Sequence, residues 1–158
     1  MFRPIRRIKK EIDITAAKEL LKKARIGVFA VNGDDGYPYA IPVNYLYDEE
    51  AGKIYFHGAR AGHKYDALHE SDKVCFTVYG EERIKDLEWA PYVQSVVVFG
   101  RCRLLELDES ALDKLRRMSL KYFPTKELVE EEIGRSGKGV QMYEIEIEHM
   151  SGKEIQEK

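Results

Sequence analysis

Residues 92–107, YVQSVVVFGRCRLLEL, limit the fold more than any other stretch of this chain. They form its longest β signal, dense in branched and aromatic residues, and Gly100 in the middle is where a curved sheet would turn. Five more runs read as strands: 26–31 (IGVFAV), 38–47 (PYAIPVNYLY), 53–57 (KIYFH), 74–79 (VCFTVY) and 140–147 (VQMYEIEI). The NGDDG of residues 32–36 makes a hairpin turn that needs positive φ. Pro42 cannot donate to a ladder, so it belongs at an edge, a bulge or a ligand-facing position. Short helices are expected over 15–24 with Thr15 as cap, 64–70, 112–122 (stopped by Pro124) and 126–133. Residues 80–90 are polar and irregular. The expectation is a mainly β chain with short helices: a six-stranded antiparallel barrel, closed because closure removes exposed edges.

No repeat, low-complexity segment or linker divides the 158 residues, so one domain over 1–158 is expected. The basic stretch RPIRRIKK belongs to an N-terminal arm, residues 1–12, read as loosely packed and solvated. No apolar h-region follows it, as a secretory signal would require. The balance of 26 Lys and Arg against 28 Asp and Glu gives a net charge of −2, with no global pull toward nucleic acid. No apolar run approaches the roughly 18 residues of a membrane span, so no membrane partner is expected. Cys75 and Cys102 lie far apart without metal-ligand spacing, which suits buried thiols in a reducing cytoplasm.

The chemistry points to residues 53–68, KIYFHGARAGHKYDAL. A strand ends at His57, crosses a loop with Gly58 and Gly62, and enters a helix near His63 and Lys64. Helix N-terminal N–H groups and the helix dipole favour an anion, and Arg60, His63 and Lys64 add three cations. The spacing matches neither a Walker loop nor a dinucleotide fingerprint. The same residues also suit an ordinary turn with solvated cations, and both readings stand at this level. His149 and the EIEIE alternation of residues 144–148 read as the wet face of a strand, with no metal-ligand cluster. Trp89 and Tyr92 suit either packing or a cover for a bound ring.

PYAIPVNYLYD, IYFHGARAGHKYDAL, VCFTVY, YVQSVVVFGRCRLLE and the closing HMSGK occur in this order and together resemble the pyridoxamine 5′-phosphate oxidase-like flavoproteins, over about residues 20–155. Within that group the chain is most similar to the nitroimidazole-resistance (Nim) type. The resemblance implies an FMN-binding split barrel that forms a homodimer with FMN at the subunit interface. It implies that Ile41, Pro42, Val43 and Asn44 lie along the flavin ring and ribityl chain, and that Phe56 and His57 approach the ribityl–phosphate portion. By the same resemblance His63 and Lys64 grip the phosphate, Ser95 comes from the partner subunit, and His57 is the catalytic candidate. Two features of the pyridoxamine oxidases are missing. Tyr39-Ala40 stands where they have an arginine, and their C-terminal substrate-phosphate arginine and histidine have no counterpart, so pyridoxamine phosphate oxidation is not expected.

Two functions follow from the resemblance. One is an FMN-dependent oxidoreductase reducing a small planar acceptor such as a nitroaromatic. The other is a non-catalytic flavin- or haem-binding protein for storage, sensing or stress response. A flavoprotein needs no nucleophile–base pair, because the cofactor carries the redox step.

Overall fold

A computed structural model describes residues 1–84, 86 and 90–156 of the chain. The elements in order are α1 (Ile14–Lys23), β1 (Gly27–Asn32), β2 (Pro38–Val43), β3 (Leu46–Asp48), β4 (Lys53–Gly58), α2 (His63–Glu70), β5 (Lys73–Tyr79), β6 (Arg83–Ile84), β7 (Pro91–Leu105), α3 (Glu109–Leu120), α4 (Lys126–Ser136) and β8 (Gln141–Gln156). The strands form one antiparallel sheet in the order β2-β1-β5-β7-β8-β4-β3, with β6 paired to β7. The mainly β architecture with short helices matches the expectation from the sequence. The strand number and the closure do not.

Eight strands are present, not six, for two reasons. The run 38–47 breaks at Asn44-Tyr45: β2 pairs with β1, whereas β3 pairs with β4 at the other end of the sheet. Tyr45 drives the break, because its ring is wholly buried and its hydroxyl donates to the Leu21 carbonyl of α1. Its own N–H donates to the Tyr122 hydroxyl, 2.9 Å away, rather than to a strand. The second reason is β6, two residues inside the segment read as irregular. Because β2 and β3 stand at opposite ends of the order and do not pair, the sheet is split rather than closed. Pro42 therefore sits on an edge strand, where its missing N–H costs nothing.

β7 and β8 form a long ribbon whose register shifts at Phe99/Gly100, the bend expected there. A Cβ on Gly100 would overlap the Glu146 carbonyl oxygen, so the strands can approach this closely only at glycine. β8 runs to Gln156, beyond the Ile147 where alternation fades, because pairing with β7 sustains it. One core fills the barrel interior around Phe29, Phe56, Phe76, Tyr143 and Ile145. A second lies outside the sheet, where α3 packs Ala111, Leu115 and Met118 on Tyr55 and Met142.

Three helices start one to three residues before their sequence-based bounds, because acids cap two of them. Asp13, not Thr15, accepts from the Ala16 N–H at the start of α1, and Asp108 accepts from Ala111 N–H at the start of α3. The arm contacts the sheet at several points. Glu11 bridges Lys153, Ile12 donates to Gly152 O at 3.0 Å, and Phe2 stacks on His149 at 4.8 Å. Cys75 and Cys102 are free thiols, the first half-buried and the second buried. Among the described residues no helix is long and apolar enough to cross a membrane.

Candidate functional site

Strand alternation sends the residues of β4 to opposite sides. Ile54 and Phe56 point into the barrel core, whereas Tyr55 packs under α3 in the outer core. By the same period Gly58 shares the inner face with Phe56, and His57 shares the outer face with Tyr55. The strand end thus carries two environments one residue apart.

On the inner side, Lys64 of the first α2 turn folds back over Gly58. A Cβ there would stand 3.0 Å from both Lys64 Cε and Nζ, so the glycine keeps a space that the ammonium uses. Lys64 Nζ also lies 5.6 Å from the centre of the Tyr143 ring. Gly62 enters the helix at φ +100 and gives α2 no side-chain cap. The first helical bond is Asp66 N–H to Gly62 O, which leaves the N–H groups before it directed out of the turn. Among the described residues Lys64 makes no ion pair. Arg60 donates only to Val140 O, at 3.4 Å.

On the outer side, His57 is exposed. Desolvation, and then the charge of Lys64, hold its pKa below the ordinary histidine value. It opens onto a cleft of about 310 Å³ between the strand ends and the two helices α3 and α4. Asn44 forms another part of the wall, and its side-chain amide donates to Arg25 O at 3.0 Å. Met118, Phe123, Val129 and Ile133 make the cleft mostly apolar.

The residues singled out in the sequence do not all converge. Ile41, Pro42 and Val43 lie on β2 and Asn44 follows it, with Pro42 and Asn44 exposed. Phe56 is fully buried between Phe29 and Tyr143, each 4.7 Å away, so only its backbone is available to a ligand. His63 turns away from Lys64. Its ring stacks on Tyr39 at 4.1 Å, and its Nε2 lies 3.3 Å from the Asp34 amide nitrogen and 3.7 Å from Asp34 Oδ2. Neutral, His63 accepts from that amide; protonated, it faces the carboxylate. Ser95 pairs with Lys153 on β8, whereas His57 pairs with Met142, eleven residues away along the same strand. One copy of the chain does not bring Ser95 to the loop. Trp89 lies outside the described residues.

Sequence reading missed the cleft. Its walls come from α3 and α4, which looked like ordinary amphipathic helices, and only their packing outside the sheet brings them to His57. It also missed the role of Glu144. The alternation reads this residue as wet, yet it is buried at 4% exposure. It accepts from Lys53 Nζ at 3.1 Å and Arg103 Nε at 2.6 Å. Burial alone would raise its pKa; hydrogen bonds from Lys53, Tyr55 and Arg103 outweigh that and hold it below the ordinary value. A short polar link also pins α3 to the barrel. Lys121 Nζ donates to Ala24 O at 2.6 Å and sits 4.1 Å from the Tyr45 ring centre. Desolvation, and then Arg25, push its pKa down to about 8.

Known proteins share this arrangement of strands. The model of the family described as pyridoxamine 5′-phosphate oxidase matches residues 13–154. No curated protein sequence matches the chain. Among solved structures, a candidate 5-nitroimidazole antibiotic resistance protein from Bacteroides thetaiotaomicron superposes with a TM-score of 0.78 at 18% identity, covering 92% of this chain and 87% of that one. A flavocytochrome from Azotobacter vinelandii gives 0.76 at 19% identity, covering 96% and 72%. An FAD-binding protein from Mesorhizobium loti gives 0.66 at 21% identity, covering 92% and 97%. At these identities the likeness is one of fold, and the family match over 13–154 goes further: the chain belongs to the pyridoxamine 5′-phosphate oxidase family.

Proposed function

We propose that this chain is an FMN-binding oxidoreductase that reduces a small planar acceptor such as a nitroaromatic, working as a homodimer with FMN at the subunit interface. The observation that carries the cofactor is Lys64: an ammonium held over Gly58 at an uncapped helix start, without a carboxylate partner among the described residues. Such a point charge beside free N–H groups suits a phosphate dianion. A flavin phosphate fits these groups, with Lys64 and the first α2 turn holding it and Arg60 near by. Asn44, the neighbouring β2 backbone and His57 would border the ring. Bound flavin would supply the electron transfer. His57 would supply or accept a proton at the edge of the ring. Its lowered pKa leaves it mainly neutral at pH 7, and a phosphate on Lys64 would cancel part of the charge that lowers it.

An exposed apolar strip supports a second copy. One face of the ribbon and its neighbour β5 leaves Tyr79 69%, Phe99 40% and Ile155 41% exposed, beside half-buried Val93 and Val97. A two-fold pair would cover this strip and would also bring Ser95 to the partner's loop. Sedimentation of the flavin-loaded protein should give a dimer; a monomer that holds FMN tightly would refute this part. Purified protein should be yellow, and Lys64→Ala should weaken FMN by about 1.5–3 kcal/mol, the scale of a charge-assisted hydrogen bond. Unchanged affinity in a titration would remove the phosphate placement. His57→Gln should bind FMN almost normally yet lose acceptor reduction per bound flavin by about 10²-fold. Equal rates per flavin would leave His57 a tether.

The second reading is a flavin or haem carrier without turnover. The likeness to the flavocytochrome keeps it in view. A Soret band in the purified protein, or a yellow protein whose reduced flavin ignores nitro compounds, would favour it.

A further inference from the structure

The cleft beside His57 has no part in holding a phosphate at Lys64. None of residues 58–64 lines it, and it lies on the face of β4 opposite to Gly58. Yet it meets the flavin-binding stretch twice. Asn44 and His57, the residues that would border the ring, are both in its wall. A third link is Val140, which lines the cleft and whose carbonyl accepts from Arg60 of the loop.

We infer that this α3–α4 cleft is a binding site for an uncharged aromatic molecule, presenting it edge-on to His57 and Asn44. Three observations carry the inference. The volume of about 310 Å³ lies at the small end of ligand pockets, room for one or two rings. The walls are apolar where α3 and α4 face each other, at Met118, Val129 and Ile133. Polar groups are few: His57 and Asn44 on one side, Ser119, Ser136 and Glu132 on the other, and Tyr122, whose hydroxyl is already bonded to the Arg25 and Tyr45 carbonyls, as a site that orients an apolar ligand requires. Charge sets the class. Among the described residues no lysine or arginine lines the cleft, and its one carboxylate, Glu132, is paired with Arg135. An anion placed there would be desolvated without a partner. A neutral ring loses nothing polar and gains the apolar wall.

The role of this site as the acceptor pocket rests on the flavin reading above; the binding itself does not. The test therefore reads binding directly, on the full chain, by equilibrium dialysis with neutral 4-nitroanisole and anionic 4-nitrobenzoate. The neutral probe should bind about tenfold more tightly than the anion or better, because the anion would lie unpaired. Ile133→Trp, which fills the cleft from α4, should weaken the neutral probe by about tenfold or more, the scale of a misfit in an apolar pocket. Ser119→Trp fills it from α3 and should do the same, so a folding failure of either variant leaves the other to decide. FMN affinity should stay within about twofold in both, since neither residue lies at the loop. Equal binding of the two probes, or of the neutral probe to wild type and a folded filled variant, would overturn the site. So would a parallel loss of FMN affinity, which would make the cleft the flavin's own seat. A wild-type chain that binds the neutral probe but no flavin would end the flavin reading and leave the cleft assignment standing.

Discussion

The two ends of β4 handle charge in opposite ways. At its start, Lys53 meets Glu144, which also takes Arg103, and the neighbouring Asp48 takes Arg117 at 3.1 Å and Lys114 at 3.7 Å. Each buried carboxylate there has at least two cations. At its end, Lys64 and Arg60 make no ion pair among the described residues, and the charge of Lys64 adds to the burial that depresses His57. The first arrangement closes on itself and fastens α3 to the sheet. The second leaves its cations without a carboxylate among the described residues. A fold can tolerate that only where the cations remain partly hydrated, as on this loop. The paired end is therefore expected to govern stability and the unpaired end affinity.

The largest effect should come from the scaffold. Gly100→Ala forces a methyl group into the Glu146 backbone at the β7–β8 shift and should cost about 3 kcal/mol, read by urea denaturation. A loss below about 0.5 kcal/mol would mean that the two strands part easily there. Next, Glu144→Ala leaves Lys53, Arg103 and the Tyr55 hydroxyl without their acceptor. The loss should be about 2 kcal/mol, below the range for fully buried pairs because Arg103 is exposed. Glu144 and Asp48 are both held below the ordinary carboxylate value. Their contribution is present above about pH 4 and is lost as pH falls through their lowered values, so wild type should lose stability there faster than the variant. Lys64→Ala, by contrast, should change stability by no more than about 0.5 kcal/mol while FMN affinity falls. A large stability loss would make Lys64 part of the scaffold and erase the contrast.

The smallest effect concerns His57. Its folded pKa lies below the unfolded value of about 6.5, so the unfolded chain binds the extra proton. Stability should therefore fall as pH drops from about 6.5 through the folded value, and less so in His57→Gln. NMR titration of the imidazole should give a value under about 6.5 that rises in Lys64→Met and again when FMN is bound. A value that ignores both changes would separate His57 from the phosphate loop.

Much of this was legible in the chain itself. Most of the strand pattern, the Gly100 bend and the strand–loop–helix at residues 53–70 follow from local rules of alternation and glycines at turns. A proline without a donor left Pro42 an edge, a bulge or a ligand-facing position until the strand order made it an edge. Asn44-Tyr45 escaped those rules, because an unbroken β-forming run gives no sign that Tyr45 will be claimed by Leu21 and Tyr122. His63 looked equivalent to Lys64 as a cation beside a loop. Only the packed β1–β2 turn turns its ring onto Tyr39 and Asp34.

The alternating faces of each strand and the supply of cations at a helix start are legible in the chain because they depend on neighbours within about ten positions, and the family is legible because five motifs occur in order along it. Tertiary structure decided which carboxylates are buried and paired, which histidine faces the cleft, and that the cleft exists. Those depend on α3 and α4 returning, some fifty residues later in the chain, to lie against the outer face of β4. No local pattern encodes that contact, since a half-apolar helix packs equally well on any apolar face that the rest of the fold presents.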